Sequence, residues 1–356
     1  EPWVMEAIKK YVSDQSRDFQ LLEVAWFGGE PTIAMDVVED LSTSLIEICD
    51  RAGARYTSQI TTNGYLLKDE VARKLVYDCR VRQFQITLDG VPSNHNKRRP
   101  LAGGGATFDR IYDNLLNMKS LDAPFNVILR INFDATSAES MEGFIDRISR
   151  DFAQDERFIV HFFPISEWGG DKTRTLPICD ANIGRVLKYQ LLEQAVNKGF
   201  ASRIRNEIGP MGTACYAVDP NSFIIGSDGT VYKCTVAFED SRNRVGVIKP
   251  DGSMEIDIDK FALWVTNEGV NDRHCTSCFF NPSCHGMSCP LYRMETNESP
   301  CPTVKVSFPD ALKILAKEMA QPQESDAPRA VTPDANRQPD SVGVEETEPR
   351  QARNRT

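Results

Sequence analysis

The chain has 356 residues, 41% of them hydrophobic, and a formal net charge of -10. That much apolar side chain can bury a sizeable core, and the length suits one large unit plus a smaller one. The acidic balance excludes a dominant nucleic-acid surface, and no apolar run is long enough to span a bilayer.

Residues 1–20 lack a basic start followed by an apolar segment, so the chain reads as soluble, unexported and cytoplasmic. In a reducing compartment, clustered cysteines are more often metal ligands or catalytic groups than disulfides. The first element, residues 4–12, is a helix. From residue 21 to about 200, short β-branched runs alternate with amphipathic stretches, the signature of repeated βα units on a parallel sheet. Five strands are predicted: LLEVAWF (21–27), RYTSQITT (55–62), VRQFQITL (81–88), FNVILRINF (125–133) and RFIVHFFP (157–164). Helices are predicted over 37–51, 68–78, 108–120 with Thr107 as N-cap, 138–150 and 183–198.

The fold class that follows is α/β: a partial (β/α)6 TIM-like barrel lacking its first strand. A helix that opens a βα series should follow a strand, so at least one βα loop is expected upstream of Glu1. Loops after strand C-termini build the active face of such barrels.

The character changes near residue 209. The region to 302 is rich in cysteine, carries the turn signals SDG (227–229) and PDG (250–252), and has little helical periodicity. The expected division is a partial barrel over 1–205, a small cysteine-rich domain over 206–305, a helix over 306–320 and a tail over 321–356. The tail holds five prolines, many charges and almost no large apolar side chains. It cannot offset the entropy of ordering and is expected to be disordered.

Seven of the ten cysteines lie in the small domain: Cys215, Cys234, Cys275, Cys278, Cys284, Cys289 and Cys301. The C-x2-C pair at Cys275 and Cys278 puts two sulfurs on one tight turn, close enough to grip one metal or cluster. The odd count ranks disulfides last, and zinc on four thiolates is the main rival to iron-sulfur. Cys49, Cys79 and Cys179 stand alone and read as core or surface residues.

This arrangement resembles the SPASM domain, which carries auxiliary [4Fe-4S] clusters in radical S-adenosylmethionine (SAM) enzymes; the similarity covers about residues 215–301. One spacing departs: four residues separate Cys284 from Cys289, where the family usually has three. The resemblance implies one cluster on Cys215, Cys234 and Cys289, short of a fourth thiolate, and a second on Cys275, Cys278, Cys284 and Cys301.

The first region carries matching motifs. In WFGGEP (26–31), Gly28 and Gly29 let a ligand approach the backbone and Glu30 offers a carboxylate, followed by Pro31. It resembles the GGE motif with which radical SAM enzymes bind the methionyl ammonium. TTNG (61–64) and TLDG (87–90) place Asn63 and Thr87 at strand ends, with turn-shaping as the alternative role for Asn63 and Asp89. LRINFD puts Arg130 and Asn132 on one strand face, where a guanidinium could pair with the SAM carboxylate. RRPLAGGGATF (98–108) has no Gly-Lys-Ser/Thr ending and is rejected as a phosphate loop, with Arg98 and Arg99 expected to face solvent and substrate as the alternative. His95 and His161 lack a recognisable base partner, and no catalytic residue is assigned.

The C-x3-C-x2-C loop of radical SAM enzymes does not occur in the 356 residues, so the SAM-cleaving cluster is expected upstream of Glu1. The resemblance implies reductive cleavage of SAM to a 5′-deoxyadenosyl radical that abstracts hydrogen from a peptide or protein. It also implies an electron donor of flavodoxin or ferredoxin type, with no nucleic acid or membrane partner. Anaerobic sulfatase maturation is the near alternative, weakened because Thr235 follows Cys234 where those enzymes have an aspartate. A non-catalytic zinc or iron-sulfur scaffold or electron carrier is the alternative from another class.

Overall fold

A computed structural model describes residues 1–165, 178–266 and 272–320; the expectation of a disordered tail over 321–356 lies outside the described residues. The first helix, α1 (Pro2–Gln15), precedes five parallel strands that form one open sheet in sequence order. They are β1 (Leu21–Trp26), β2 (Arg55–Thr62), β3 (Val81–Thr87), β4 (Asn126–Phe133) and β5 (Phe158–Pro164). Each lies within a residue of its predicted bounds.

Side chains alternate between the two faces of a strand. One face carries Ile60, Phe84, Ile86, Val127, Leu129, Ile131, Phe158 and Val160, all buried in the main core. The other face mixes polar side chains with Ile128, Ile159 and Phe163. Register pairs Gln59 with Gln83, Thr87 with Arg130, and Arg130 with His161 across it. The side chains bond laterally as well: Gln83 Nε2 donates to Gln59 Oε1 at 2.9 Å, and Gln59 Nε2 to Glu23 Oε1 at 3.1 Å. A closed eight-stranded barrel fills its interior with branched apolar side chains. The row of polar side chains on this face sets the five-stranded sheet apart from such an interior.

The helices on the apolar face follow the strands. The helix α2 (Met35–Ala52) ends at Gly53 in the left-handed region (φ 73°), where a side chain would be strained. The predicted helix over 68–78 divides into α3 (Asp69–Arg73) and a π-helical turn, Lys74–Asp78. The loop after β3 contains α4 (Pro92–Arg98), which periodicity did not reveal because it is only seven residues long.

Thr107 does stand at the N-cap of α5 (Phe108–Met118), but its hydroxyl donates to Arg99 O instead of capping. The side chain of Asn96 accepts from Thr107 N and Phe108 N at 2.9 Å and caps in its place. Beyond these come α6 (Ala138–Phe152), α7 (Ala181–Asn197), whose first amides are capped by Asp180, and α8 (Ile204–Ile208).

The cysteine-rich region contains a second sheet that sequence reading missed. Four antiparallel strands follow one another: β6 (Ile224–Ile225), β7 (Thr230–Tyr232), β8 (Arg244–Ile248) and β9 (Met254–Ile256). With two to five residues each, they are too short to show alternation. The SDG and PDG turns join β6 to β7 and β8 to β9, with Gly229 and Gly252 at φ 83° and 82°.

The helix α9 (Ile258–Val265) buries Trp264 beside Cys215 and Cys234 in a separate small core. Val4 and Ala7 of α1 bury against Ile248 of β8. Cys284, Val304, Ala311 and Ile314 join the main core and Cys278 packs against it, so these two cysteines lie against the parallel-sheet half. The last described helix, Phe308–Ala320, is tied to α7 by Lys313 and Lys317 on Glu193. Among the described residues no helix is long and apolar enough to cross a membrane.

Candidate cofactor rim and cysteine centre

The rim lies at the C-terminal ends of β1 to β4. Gly28 has φ 153°, and a Cβ built on Gly28 or Gly29 would meet nothing within 4 Å. The protein does not need that space. Both glycines are exposed, so the backbone there is open to approach from solvent. Pro31 opens a 3-10 turn, where its missing N–H costs nothing.

Glu30 is already heavily engaged. Its Oε1 accepts from Thr32 N at 3.1 Å, Thr32 Oγ1 at 2.5 Å and Thr62 Oγ1 at 2.6 Å, and its Oε2 from Asn63 N at 2.7 Å. A carboxylate has about four lone-pair sites, so one direction on Oε2 stays open for a further donor. Asn63 turns its own side chain back to Tyr65 N at 2.8 Å, the turn-shaping role named as its alternative.

The β3 and β4 ends form a second network. Asp89, 2% exposed, accepts from Asn132 Nδ2 at 2.8 Å and Asn132 N at 3.1 Å, and from Arg99 Nε at 2.6 Å. Arg130 Nε donates to Asn132 Oδ1 at 3.0 Å, and its guanidinium lies 4.1 Å above the Phe163 ring. The pair predicted from LRINFD is thus brought together, with Thr87 in register beside Arg130. Arg98 and Arg99 do not simply face solvent as expected. Arg98 binds Asn132 O and the buried carboxylate of Asp134, because a buried carboxylate needs a paired charge.

Burial works against ionisation of Asp134. It is outweighed by hydrogen bonds from Thr136 and Ser137 and by Arg98, which together hold the carboxyl below its usual range. His95 is fully buried, its Nδ1 accepts from Asp89 N at 3.1 Å, and burial lowers its pKa from 6.5 to about 4. It braces the loop as a neutral ring. Sequence reading missed Thr62, Arg99 and Asp134, whose partners come from other strands or loops.

The seven cysteines fall into two groups. Cys215 lies within electrostatic reach of Cys289 and Cys234, and Cys289 of Cys234. Cys275 lies within reach of Cys284 and Cys301, and Cys284 of Cys278 and Cys301. Cys49, Cys79 and Cys179 are buried.

Many of these sulfurs accept backbone N–H groups: Cys234 from Val236 and Cys278 from Phe280, both at 3.4 Å, and Cys284 from Gly286 at 3.5 Å. Such bonds orient a sulfur and favour its anionic form. Burial opposes that form, pushing the thiols of Cys215, Cys234, Cys284 and Cys289 up and that of Cys275 to about 11. A bound metal centre would supply the missing drive for deprotonation.

Among the described residues no three His, Cys, Asp or Glu side chains stand close enough to hold a single ion. Four thiolates on one zinc would lie ~4 Å apart, given a Zn–S bond of about 2.3 Å. A cluster binds each thiolate to a different iron and needs wider spacing.

Each group has a lysine. Lys305 Nζ approaches Cys301 Sγ at 3.2 Å, and Lys233, buried beside the first group, has its pKa lowered by burial to about 8. Tyr216, next to Cys215, bonds Thr235 N and Thr235 Oγ1 at 2.8 Å. These neighbours of the cysteines carried no sequence signal beyond adjacency.

Residues 4–148 match the family model described as the Radical SAM superfamily. Among solved structures, the chain is similar to native anSMEcpe with bound AdoMet at TM-score 0.59 and 17% identity, covering 89% of this chain and 90% of that one. It is also similar to native anSMEcpe with bound AdoMet and Cp18Cys peptide at TM-score 0.62 and 15% identity, covering 89% of each. At these identities the likeness establishes the fold. A comparison with curated proteins finds no match.

Proposed function

Starting from a chain whose residues 4–148 carry a radical SAM domain, we propose that it forms the body of a radical SAM/SPASM maturase. The enzyme acts on a peptide or protein, in the cytoplasm, and holds two auxiliary [4Fe-4S] clusters. The observation that supports this reading is that Cys215 and Cys234 share the small core while Cys278 and Cys284 pack with the main core.

The rim suits SAM. Gly28 and Gly29 leave the backbone uncrowded, the remaining direction on Glu30 Oε2 offers an acceptor for an ammonium, and Arg130 beside Asn132 offers donors for a carboxylate. Asp89, fixed by Arg99, holds Asn132 in place and through it orients Arg130. SAM, when bound and reduced, supplies the radical that takes hydrogen from the substrate. The 356 residues contain no C-x3-C-x2-C run, so their part is to hold SAM, substrate and the auxiliary clusters, with electrons from a flavodoxin-like or ferredoxin-like donor.

A neighbour in fold that holds a Cp18Cys peptide supports a peptide substrate. The sulfatase-maturating alternative is disfavoured at Thr235, whose hydroxyl pairs with Tyr216 where that chemistry would want a carboxylate. Anaerobic reconstitution with iron and sulfide tests the reading. About eight irons per chain is the expected result for two cubane clusters. One zinc per chain, with no visible absorbance, would overturn it in favour of a scaffold.

A further inference from the structure

Lys233 is one of the largest fully buried side chains, 0% exposed. Its Nζ donates to two backbone carbonyls, Asp219 O at 2.6 Å and Ser222 O at 2.5 Å. Two rings complete its surroundings, Phe223 with its centroid 5.1 Å away and Phe261 at 5.2 Å. Among the described residues it makes no salt bridge. Carbonyl dipoles and ring faces stabilise an ammonium without cancelling its charge, so its field reaches past them into a poorly screening interior.

The anions that act on it are the Asp219 carboxylate, which makes no salt bridge with it among the described residues, and, once a cluster is bound, the thiolates. Lys233 precedes Cys234 in the chain, and it acts electrostatically on Cys215. Both belong to the small core that Phe223 and Phe261 also line. The second thiol group differs. Its lysine, Lys305, touches Cys301 directly, and Cys301 is exposed to water, which screens.

We propose that Lys233 is a positioning residue of electrostatic kind: a fixed cation that raises the reduction potential of the cluster held by Cys215, Cys234 and Cys289. The inference rests on the two-cluster reading above. Reduction adds one electron to a cluster already bearing anionic thiolates, and a buried cation stabilises the reduced form more than the oxidised form. The alternative is a strut that ties the 219–222 turn to β7 by hydrogen bonds alone.

The test reconstitutes the wild-type chain, Lys233→Gln, Lys233→Met and Lys233→Arg anaerobically with iron and sulfide, then follows each through a redox titration by electron paramagnetic resonance. Both neutral variants should retain wild-type iron and shift one of two midpoint potentials in the negative direction, with Lys233→Arg unmoved. If Lys233→Met sheds iron, Lys233→Gln, which still donates to the carbonyls, carries the test. Iron lost from both neutral variants but kept by Lys233→Arg would mean that Lys233 holds the 219–222 turn in place, and would overturn the electrostatic role. Unmoved potentials in Lys233→Gln, or iron lost from all three variants, overturn the role of Lys233. An iron-free wild type overturns the cluster reading itself.

Discussion

Glu30 accepts from Thr32, Thr62 and Asn63 before any ligand arrives, so it joins the β1 loop to the β2 end as well as facing the rim. Glu30→Ala should lower stability by about 2 kcal/mol, the scale of a charge-assisted hydrogen bond lost with its donors left unmatched. It should also weaken SAM binding. Denaturant unfolding and equilibrium dialysis read the two effects separately, and an unchanged unfolding midpoint would contradict the joining role. Arg98→Ala should cost about 3 kcal/mol or more, because it strands the 1%-exposed carboxylate of Asp134.

His95 makes a pH prediction. Its folded pKa of about 4 lies below the ordinary 6.5, so the unfolded chain takes up the proton first as pH falls. His95 therefore leaves stability unaffected above about 6.5 and lowers it progressively between 6.5 and about 4. His95→Gln, which keeps a side-chain acceptor for Asp89 N, should flatten unfolding free energy across that window; an unaltered slope would contradict the assignment. Of these residues, Glu30, Arg130 and Asn132 were legible as motif positions. Their actual partners were not, because Asp89, Thr62 and Arg98 meet them only once strands pair.

At the scale of elements, β1 to β5 were legible because each has six or more residues with a run of β-branched and aromatic side chains. The sheet β6 to β9 was not, since its turns are stronger signals than its strands. The break of α3 into a π-helical turn also escaped, because both helix types keep similar apolar spacing over so short a stretch. Gly64, between β2 and α3, tests how tightly the rim is built. It has φ 77°, and a Cβ there would stand 2.8 Å from Ile86 Cγ2. Gly64→Ala should destabilise by about 1–3 kcal/mol through backbone strain and crowding of β3. Thermal unfolding checks this, and a neutral result would mean the loop can move away from β3.

Across the whole molecule, a strand-end rim of polar side chains beside two exposed glycines shares one chain with seven cysteines that part into two groups. Chain order alone mixes these groups, since Cys289 lies between Cys284 and Cys301 yet joins Cys215 and Cys234. The fold separates them: Cys215 and Cys234 belong to the small core beside α9, whereas Cys284 lies in the main core. The most direct measurement is the iron content of single-site variants after anaerobic reconstitution. Cys215→Ala and Cys278→Ala should each retain about four irons, in clusters with different magnetic resonance spectra, and the double variant almost none. A single variant that loses all iron, or two variants that leave the same spectrum, would contradict two independent centres.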